Sequence, residues 1–488
     1  SSGNVIASVD MRAPIFYDSD NTSFYGNFAS TSIFNKLQLY SGTASGAASY
    51  DGNSLLQIES SGNQYIEFRT TSASSGFMQG LLFTDNGRNN LFNKNPFFIE
   101  ITNHDFDISG DHILIEKSLV LYGVNYYNWM FRYIKKNILT INYDFISYLI
   151  WTLNRVEEYG IKSTDKHDRF KLCNSHLETS ELYLRPIIDE WFSFINNLLL
   201  SNGFNCKKRE FSFSVSHDVD DISRYESVPF ITFFPRIFVD IIKRPKELYS
   251  YFFNRKSFLE KEHTNTFDWL MEISNKFGIR SKFYFIPLNS SMIYDYRYSY
   301  NNFVIKILIK IFEKGHEIGI HYSYNSSVKM RIRKEWIFLK KICDLYKLPE
   351  VKGGRMHYLR FDFIETLRQL VEVGQSYDNT ITFFETGGFR CGTCIAYEPF
   401  DIFKLKTLPI SIKPLILMEG SVLSYMGLNI ADGSAFDYIK KMIDSCYKAG
   451  GEFSLLWHNS VLDTLEKKML YYDILEYSAT LKNSHNKC

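Results

Sequence analysis

From about residue 206 onward the chain alternates strand-like and helix-like segments, and this rhythm restricts the fold more than any other feature. Phe211-Ser212-Phe213-Ser214-Val215 alternates apolar and polar residues, the period of a strand. Apolar spacing predicts helices over 267–277, 301–314, 328–346 and 435–449. Each is followed by a strand-like run or polar segment: 282–286, 316–321, 355–360 and 453–457. Such alternation predicts a parallel sheet or barrel wrapped by helices. The C-terminal ends of its strands then share one face, where active sites of these folds gather.

Polar clusters sit at those strand ends. Ser216-His217-Asp218-Val219-Asp220-Asp221 follows the first strand, Gly315-His316-Glu317-Ile318-Gly319-Ile320-His321 comes about a hundred residues later, and Trp457-His458-Asn459-Ser460 lies near the C-terminus. Asp218 and Asp220 are two apart and share one face of an extended strand, with His217 and Val219 on the other. Two carboxylates that close need a cation or an arginine between them. A divided role follows, one as base and one as ligand, although an Asp-rich helix start with Asp220 or Asp221 capping also fits. His458 closes a strand apolar on both faces, which suits a general acid or base or a hydrogen-bonded core histidine. Arg355-Met356-His357-Tyr358-Leu359-Arg360 and Gly387-Gly388-Phe389-Arg390-Cys391-Gly392-Thr393-Cys394 add arginines able to orient a carboxylate, or to serve as plain salt bridges.

The remaining composition excludes several classes. Net charge is +1, which argues against a dedicated nucleic-acid binder. Seven cysteines follow no disulfide spacing. Cys391 and Cys394 have no second CxxC beside them, so a zinc ribbon is not expected and ordinary thiols are the better reading. No apolar run reaches the length of a membrane span, and no membrane insertion is expected. The first residues show no signal-peptide pattern, and Ser1-Ser2-Gly3 reads as a mid-chain or tag-cleaved start.

Composition changes near residue 90. Residues 1–90 hold one lysine, Lys36, and none of the eleven histidines, and are dense in Ser, Gly, Asn and Thr. Their short β-like runs carry too little apolar surface for a monomeric core, so the segment stays loose or is completed by partner chains. Residues 91–205 read as α+β, with helical periodicity over 143–159 and 186–200.

Two resemblances follow. Met11-Arg12-Ala13-Pro14-Ile15-Phe16-Tyr17-Asp18-Ser19-Asp20-Asn21-Thr22-Ser23-Phe24-Tyr25 resembles a module recurring along the trimeric shafts of tailed-phage tail fibres. It implies a homotrimeric stem, other tail proteins as partners and a place on the virion. Over roughly 206–485, the ordered clusters resemble polysaccharide deacetylases of the NodB-homology type. A subgroup with an added N-terminal domain extends the resemblance to 91–485. Its marks include Leu153-Asn154-Arg155, Asp165-Lys166-His167-Asp168-Arg169-Phe170, Arg185-Pro186 and the arginine-bearing phrases above.

The expected architecture is therefore a distorted (β/α) barrel over 206–488, preceded by an α+β domain over 91–205 and a small β-rich stem over 1–90. The deacetylase resemblance implies hydrolysis of acetyl groups on a bacterial surface polysaccharide with a divalent metal, zinc by expectation. It implies Asp218 as base, His458 as acid, and Arg360 or Arg390 holding Asp218 ionised. Asp220 and His321 are the implied metal ligands. Asn325 stands where the family has a second metal histidine, and Val219 separates aspartates that are adjacent in the family. His357 is taken as the third ligand, with His217 or water as substitutes, and the two aspartates can exchange roles. A non-catalytic polysaccharide-binding module, a cytoplasmic polysaccharide-biosynthesis enzyme and a purely structural fibre are the competing classes.

Overall fold

A computed structural model describes the side chains of residues 148–483, apart from 160–163, 179–180, 198–199, 201–208, 231, 296–297 and 328–330, together with backbone strands and one helix start before residue 148. The chain divides into two compact units.

The larger unit comprises 162–189, 208–399 and 408–488. Its strands are β1 (Ser212–Val219), β2 (Lys282–Phe285), β3 (Glu317–Tyr322), β4 (Gly353–Met356), β5 (Tyr377–Asp378), β6 (Ser411–Ile412), β7 (Leu417–Met418) and β8 (Glu452–Leu456). They form one sheet in the order β6-β5-β4-β3-β2-β1-β8-β7, and every pairing is parallel.

Connectivity forces this sheet to curl. Flat, its edge strands would lie about 34 Å apart at ordinary strand spacing. Yet β6 ends at Ile412 and β7 begins at Leu417, a step that spans at most about 18 Å of extended chain. The linker closes the gap itself. Lys413 N–H donates to Asp378 O and Leu415 N–H to Ile381 O on one side, while Ile416 N–H donates to Ser454 O on the other, at 2.8, 3.0 and 3.1 Å. The result is a distorted (β/α) barrel, as the strand-helix rhythm predicts.

The helices are α1 (Phe230–Lys243), α2 (Pro245–Phe253), α3 (Arg255–Lys261), α4 (Phe267–Lys276), α5 (Asn302–Glu313), α6 (Ile332–Leu345), α7 (Phe363–Glu372), α8 (Ser434–Ala449) and α9 (Leu465–His485). Local chemistry sets their ends. Asn301 accepts from Phe303 and Val304 N–H at the start of α5, and Asp362 accepts from Ile364 and Glu365 N–H at the start of α7. Gly450 ends α8 at φ 62°, the left-handed conformation that glycine adopts without strain. On α5, Val304, Ile307, Leu308 and Ile311 are buried at helical spacing. The three helices α1–α3 are inserted between β1 and α4, where the sequence reading placed no element.

In the smaller unit, strands Ser54–Glu59, Tyr65–Ala73, Gly76–Thr84, Phe97–Ile101, Ile138–Ile141, Phe131–Ile134 and Ile113–Leu114 form one sheet in that order. Gly76–Thr84 pairs antiparallel with Phe97–Ile101, so the compositional change at residue 90 falls inside a sheet. A separate antiparallel sheet joins Ile15–Tyr17, Tyr25–Asn27 and Thr31–Ile33. The side chains of the tail-fibre-like phrase lie outside the described residues.

Candidate active site and metal centre

Period-two alternation on β1 directs Ser214, Ser216 and Asp218 to one face and Val215, His217 and Val219 to the other. Arg355, on β4, meets the first face and is fully buried. Its Nη1 donates to Asp218 Oδ1 at 2.6 Å and its Nη2 to Ser216 Oγ at 2.8 Å. Asn379 accepts at both its backbone and side-chain oxygens, at 2.8 and 2.5 Å. The guanidinium thus has oxygen partners in several directions, which a buried cation requires. Burial by itself would raise the Asp218 pKa, but Arg355 first, then His321 and His458, hold it below the ordinary carboxylate value.

Asp220 follows directly on β1. Asp220 Oδ1 lies 3.3 Å from His321 Nε2 and 3.5 Å from His357 Nε2. One ligand atom from each of these residues falls within 4.8 Å of the others. The ring orientation of His321 is fixed from behind, where Nδ1–H donates to Arg355 O at 3.1 Å. That leaves Nε2 facing a carboxylate oxygen of Asp220. Both Asp220 Oδ1 and His321 Nε2 are buried without a hydrogen-bond partner. Two polar atoms buried this close without a hydrogen-bond partner call for a proton or a metal cation between them.

His357 is fixed in the same way. Its Nδ1–H donates to Asp295 Oδ1 at 3.0 Å. Asp295 also accepts from Ser290 N–H, Ser291 N–H, Ser290 Oγ–H and Tyr324 N–H. Against the opposing effect of burial, His357 and these donors bring Asp295 down to about 2. A carboxylate behind a histidine is the usual support for a metal-ligating imidazole. Burial would lower His357, but Asp220 and Asp295 on either side override it and push the ring up to about 9. The two carboxylates demand positive charge between them. One carboxylate and two supported imidazoles fit a zinc-type site with an open position.

His458 lies just past β8, and its Nδ1 is 2.5 Å from Glu419 Oε1, just past β7. Its Nε2 is 3.7 Å from Asp220 Oδ2. Burial opposes the charge, but Glu419 first, then Asp220 and Asp218, push His458 up to about 10. Its side chain is 18% exposed, against 1% for His321 and 4% for His357, so it is the most exposed of these three. Asp218 and Asp220 come from the end of β1, His321 from β3, Arg355 and His357 from the end of β4, and Glu419 and His458 from just past β7 and β8, so the groups gather at the C-terminal ends of parallel strands.

The arginine that meets Asp218 is Arg355, which corrects the expectation of Arg360 or Arg390. Arg355 shares a strand face with His357 through period-two spacing, whereas Arg360 lies beyond a turn. Arg360 donates to His167 O, Tyr324 O, Asp168 Oδ2 and Asn325 Oδ1, and so anchors the 165–170 phrase to the barrel. Arg390 donates to Thr382 O at 2.9 Å and packs near the rings of Phe170 and Phe383. His217 points away from the site, with Nδ1 2.9 Å from Trp457 O, and burial brings it down to about 4. Asn325 is held by Ser290, through its own N–H and its side-chain amide. Cys391 and Cys394 are both buried. Asp189 accepts from Thr393 Oγ1 and Cys394 N–H, each at 2.7 Å, which makes that phrase an internal brace. Sequence reasoning missed Asp295 and Glu419 altogether. A carboxylate after the apolar Leu415–Met418 run was the available signal for Glu419.

Beside His357 stands an aromatic group. Tyr294 and Tyr324 stack at 4.3 Å, and Tyr358 meets both edge-on. Tyr358 and Leu359 hold φ of 59° and 58°, a left-handed conformation costly for non-glycine residues and common at functional sites.

Comparison with known proteins gives a family model described as "Family of unknown function (DUF7033)", matching residues 61–203. No curated protein matches. Among solved structures, the chain is similar to a protein of Mycobacterium smegmatis provisionally described as a polysaccharide deacetylase, at 16% identity and TM-score 0.38, covering 56% of this chain and 85% of that one. A mutant CE4 family pseudoenzyme with restored enzymatic activity matches at 8% identity and TM-score 0.30, covering 58% and 65%. The CE4 domain of a multidomain xylanase from the hindgut metagenome of Trinervitermes trinervoides matches at 10% identity and TM-score 0.26, covering 57% and 85%.

Proposed function

We propose that this chain is a metal-dependent carbohydrate deacetylase acting on an acetylated bacterial surface polysaccharide. The observation that carries the reading is the close, buried approach of Asp220 Oδ1 and His321 Nε2, with His357 Nε2 beside them. Asp220, His321 and His357 would hold a divalent ion such as zinc. When bound, it supplies Lewis-acid polarisation of an acetyl carbonyl and acidifies water.

The protein's own groups divide the proton traffic. Asp218, kept ionised by Arg355, accepts the proton of the attacking water. His458, kept protonated by Glu419, donates to the departing amine or alkoxide, its exposed edge facing the substrate side. These paired environments push a carboxylate down and an imidazole up, the separation of acid and base that such chemistry needs. The aromatic group of Tyr294, Tyr324 and Tyr358 suits the apolar face of a sugar ring.

The test is loss of acetyl proton signal from purified bacterial surface polysaccharide, with the protein chelated and then reloaded with Zn²⁺. Loss only after reloading supports the reading. Binding of the polysaccharide with no loss under any metal would make the barrel a binding module instead.

The tail-fibre phrase at 11–25 supports a second element of the proposal, a homotrimeric stem that carries the enzyme on a phage tail. Sedimentation equilibrium tests it, a trimer supporting the stem and a monomer opposing it.

A further inference from the structure

The inserted helices α1–α3 present apolar residues on two opposite faces. The inner face of α1 is accounted for: Phe233 and Ile237 pack on Tyr225, Leu248 and Phe258. Asp240, buried on that side, accepts from Arg224 and from Tyr225 Oη–H. The outer face of an ordinary surface helix is polar. Here Phe230, Phe234, Phe238 and Ile242 recur every four residues along it, with Phe238 70% and Ile242 83% exposed. On α2, Tyr249 and Phe253 stack at 4.8 Å, and Phe253 is 75% exposed.

Charge identifies what covers this surface. Residues 230–261 contain seven Lys and Arg and three Asp and Glu, in a chain whose net charge is +1. One of the three acids, Asp240, is buried. Lys243 and Lys246 are exposed between the apolar residues of α1 and α2, whereas Arg255 pairs with Glu226 and Lys256 lies 3.9 Å from Glu260. We infer that α1 and α2 dock this protein on an anionic lipid surface, lying in the bilayer boundary with the aromatic residues inward and the lysines at the phosphates. A second copy of the chain is a poorer occupant, because a symmetric pairing of this face would bring like charges together. No described helix is long and apolar enough to cross a membrane, so the contact is interfacial.

The insert leaves and rejoins the barrel at the mouth of the site. Asn459 Nδ2, next to His458, donates to Asp221 O at 2.8 Å and to Thr264 O at 2.7 Å, clamping both ends. Lipid docking would therefore hold the surface close to the strand ends. If the deacetylase reading holds, glycans carried on that surface are the substrates within reach. The docking itself does not depend on that reading.

The experiment is co-sedimentation of the full chain with vesicles of phosphatidylglycerol and phosphatidylethanolamine, beside vesicles of phosphatidylcholine alone. Binding to the anionic vesicles, and little to the neutral ones, is expected. The double variants Phe238→Glu/Ile242→Glu and Lys243→Glu/Lys246→Glu should each weaken binding about ten-fold or more while the thermal melt stays unchanged. The lysine variant keeps the apolar residues, so it tests the idea even if the first variant folds poorly. Absence of binding to anionic vesicles would overturn the inference, as would equal binding to neutral ones. A concentration-dependent dimer abolished by Phe238→Glu/Ile242→Glu, without vesicle binding, would assign the face to a second copy instead.

Discussion

Replacing Arg355 by Met should damage the barrel far more than loss of a surface arginine. Arg355 is fully buried and bonded to Asp218 at 2.6 Å, to Ser216 and to both oxygens of Asn379. Met fills much of the space but leaves the Asp218 carboxylate buried without its cation. Breaking a buried pair from one side typically costs about 3–5 kcal/mol, against about 0–1 kcal/mol for an exposed pair. For a unit of this size that corresponds to a fall in melting temperature of about 5–8 °C. Adding Asp218→Asn removes the stranded charge, so the double variant should recover part of the loss, with a coupling of at least about 2 kcal/mol. Urea unfolding of wild type, both single variants and the double variant measures it. An Arg355→Met protein within about 1 kcal/mol of wild type, or strictly additive losses, would show that Arg355 does not hold Asp218 ionised.

Glu419→Gln removes the main support of protonated His458, so His458 must fall from about 10, and the alkaline limb of the pH–rate profile should move to lower pH; an unmoved limb contradicts the pairing. His321→Ala and His357→Ala should each lower zinc content by about ten-fold or more in equilibrium dialysis, whereas His217→Ala should leave it unchanged because that ring faces away. Burial raises Asp189 to about 6 against an ordinary value of 3.8, so the folded state loses stability as pH rises from about 4 through 6, by roughly 3 kcal/mol. Asp189→Asn should flatten that slope in denaturant titrations at pH 4 and pH 7, and an unchanged slope would count against an ionising Asp189.

Much of the barrel was legible because its signals are local. Helices α4, α5, α6 and α8 carry apolar residues at helical spacing, and the long strands β1 and β8 carry their own patterns. The two-residue strands β5, β6 and β7 are too short to have a period, and the linker that closes the barrel is held largely by backbone N–H groups, with Asn379 Nδ2 donating to Lys413 O. Helices α1–α3 follow a polar cluster that reads as a site loop, and an apolar outer face hides the amphipathic signal. Asp220, His321 and His357 are legible as ligands through the deacetylase resemblance of the strand-end clusters, which a parallel barrel brings together. Which arginine meets Asp218 could not be settled until β4 placed Arg355 beside His357 and sent Arg360 past the Tyr358 turn. Asp295 gave no warning, since it sits in an irregular loop and acts only through His357.

Acetate release from acetylated surface polysaccharide by the zinc-loaded wild type, Asp218→Asn and His458→Gln is the most direct test of the proposed chemistry. The account predicts release by wild type, and losses of about 100-fold or more in each variant with zinc content maintained. Equal release by Asp218→Asn and wild type, or none by wild type with zinc bound, would contradict it.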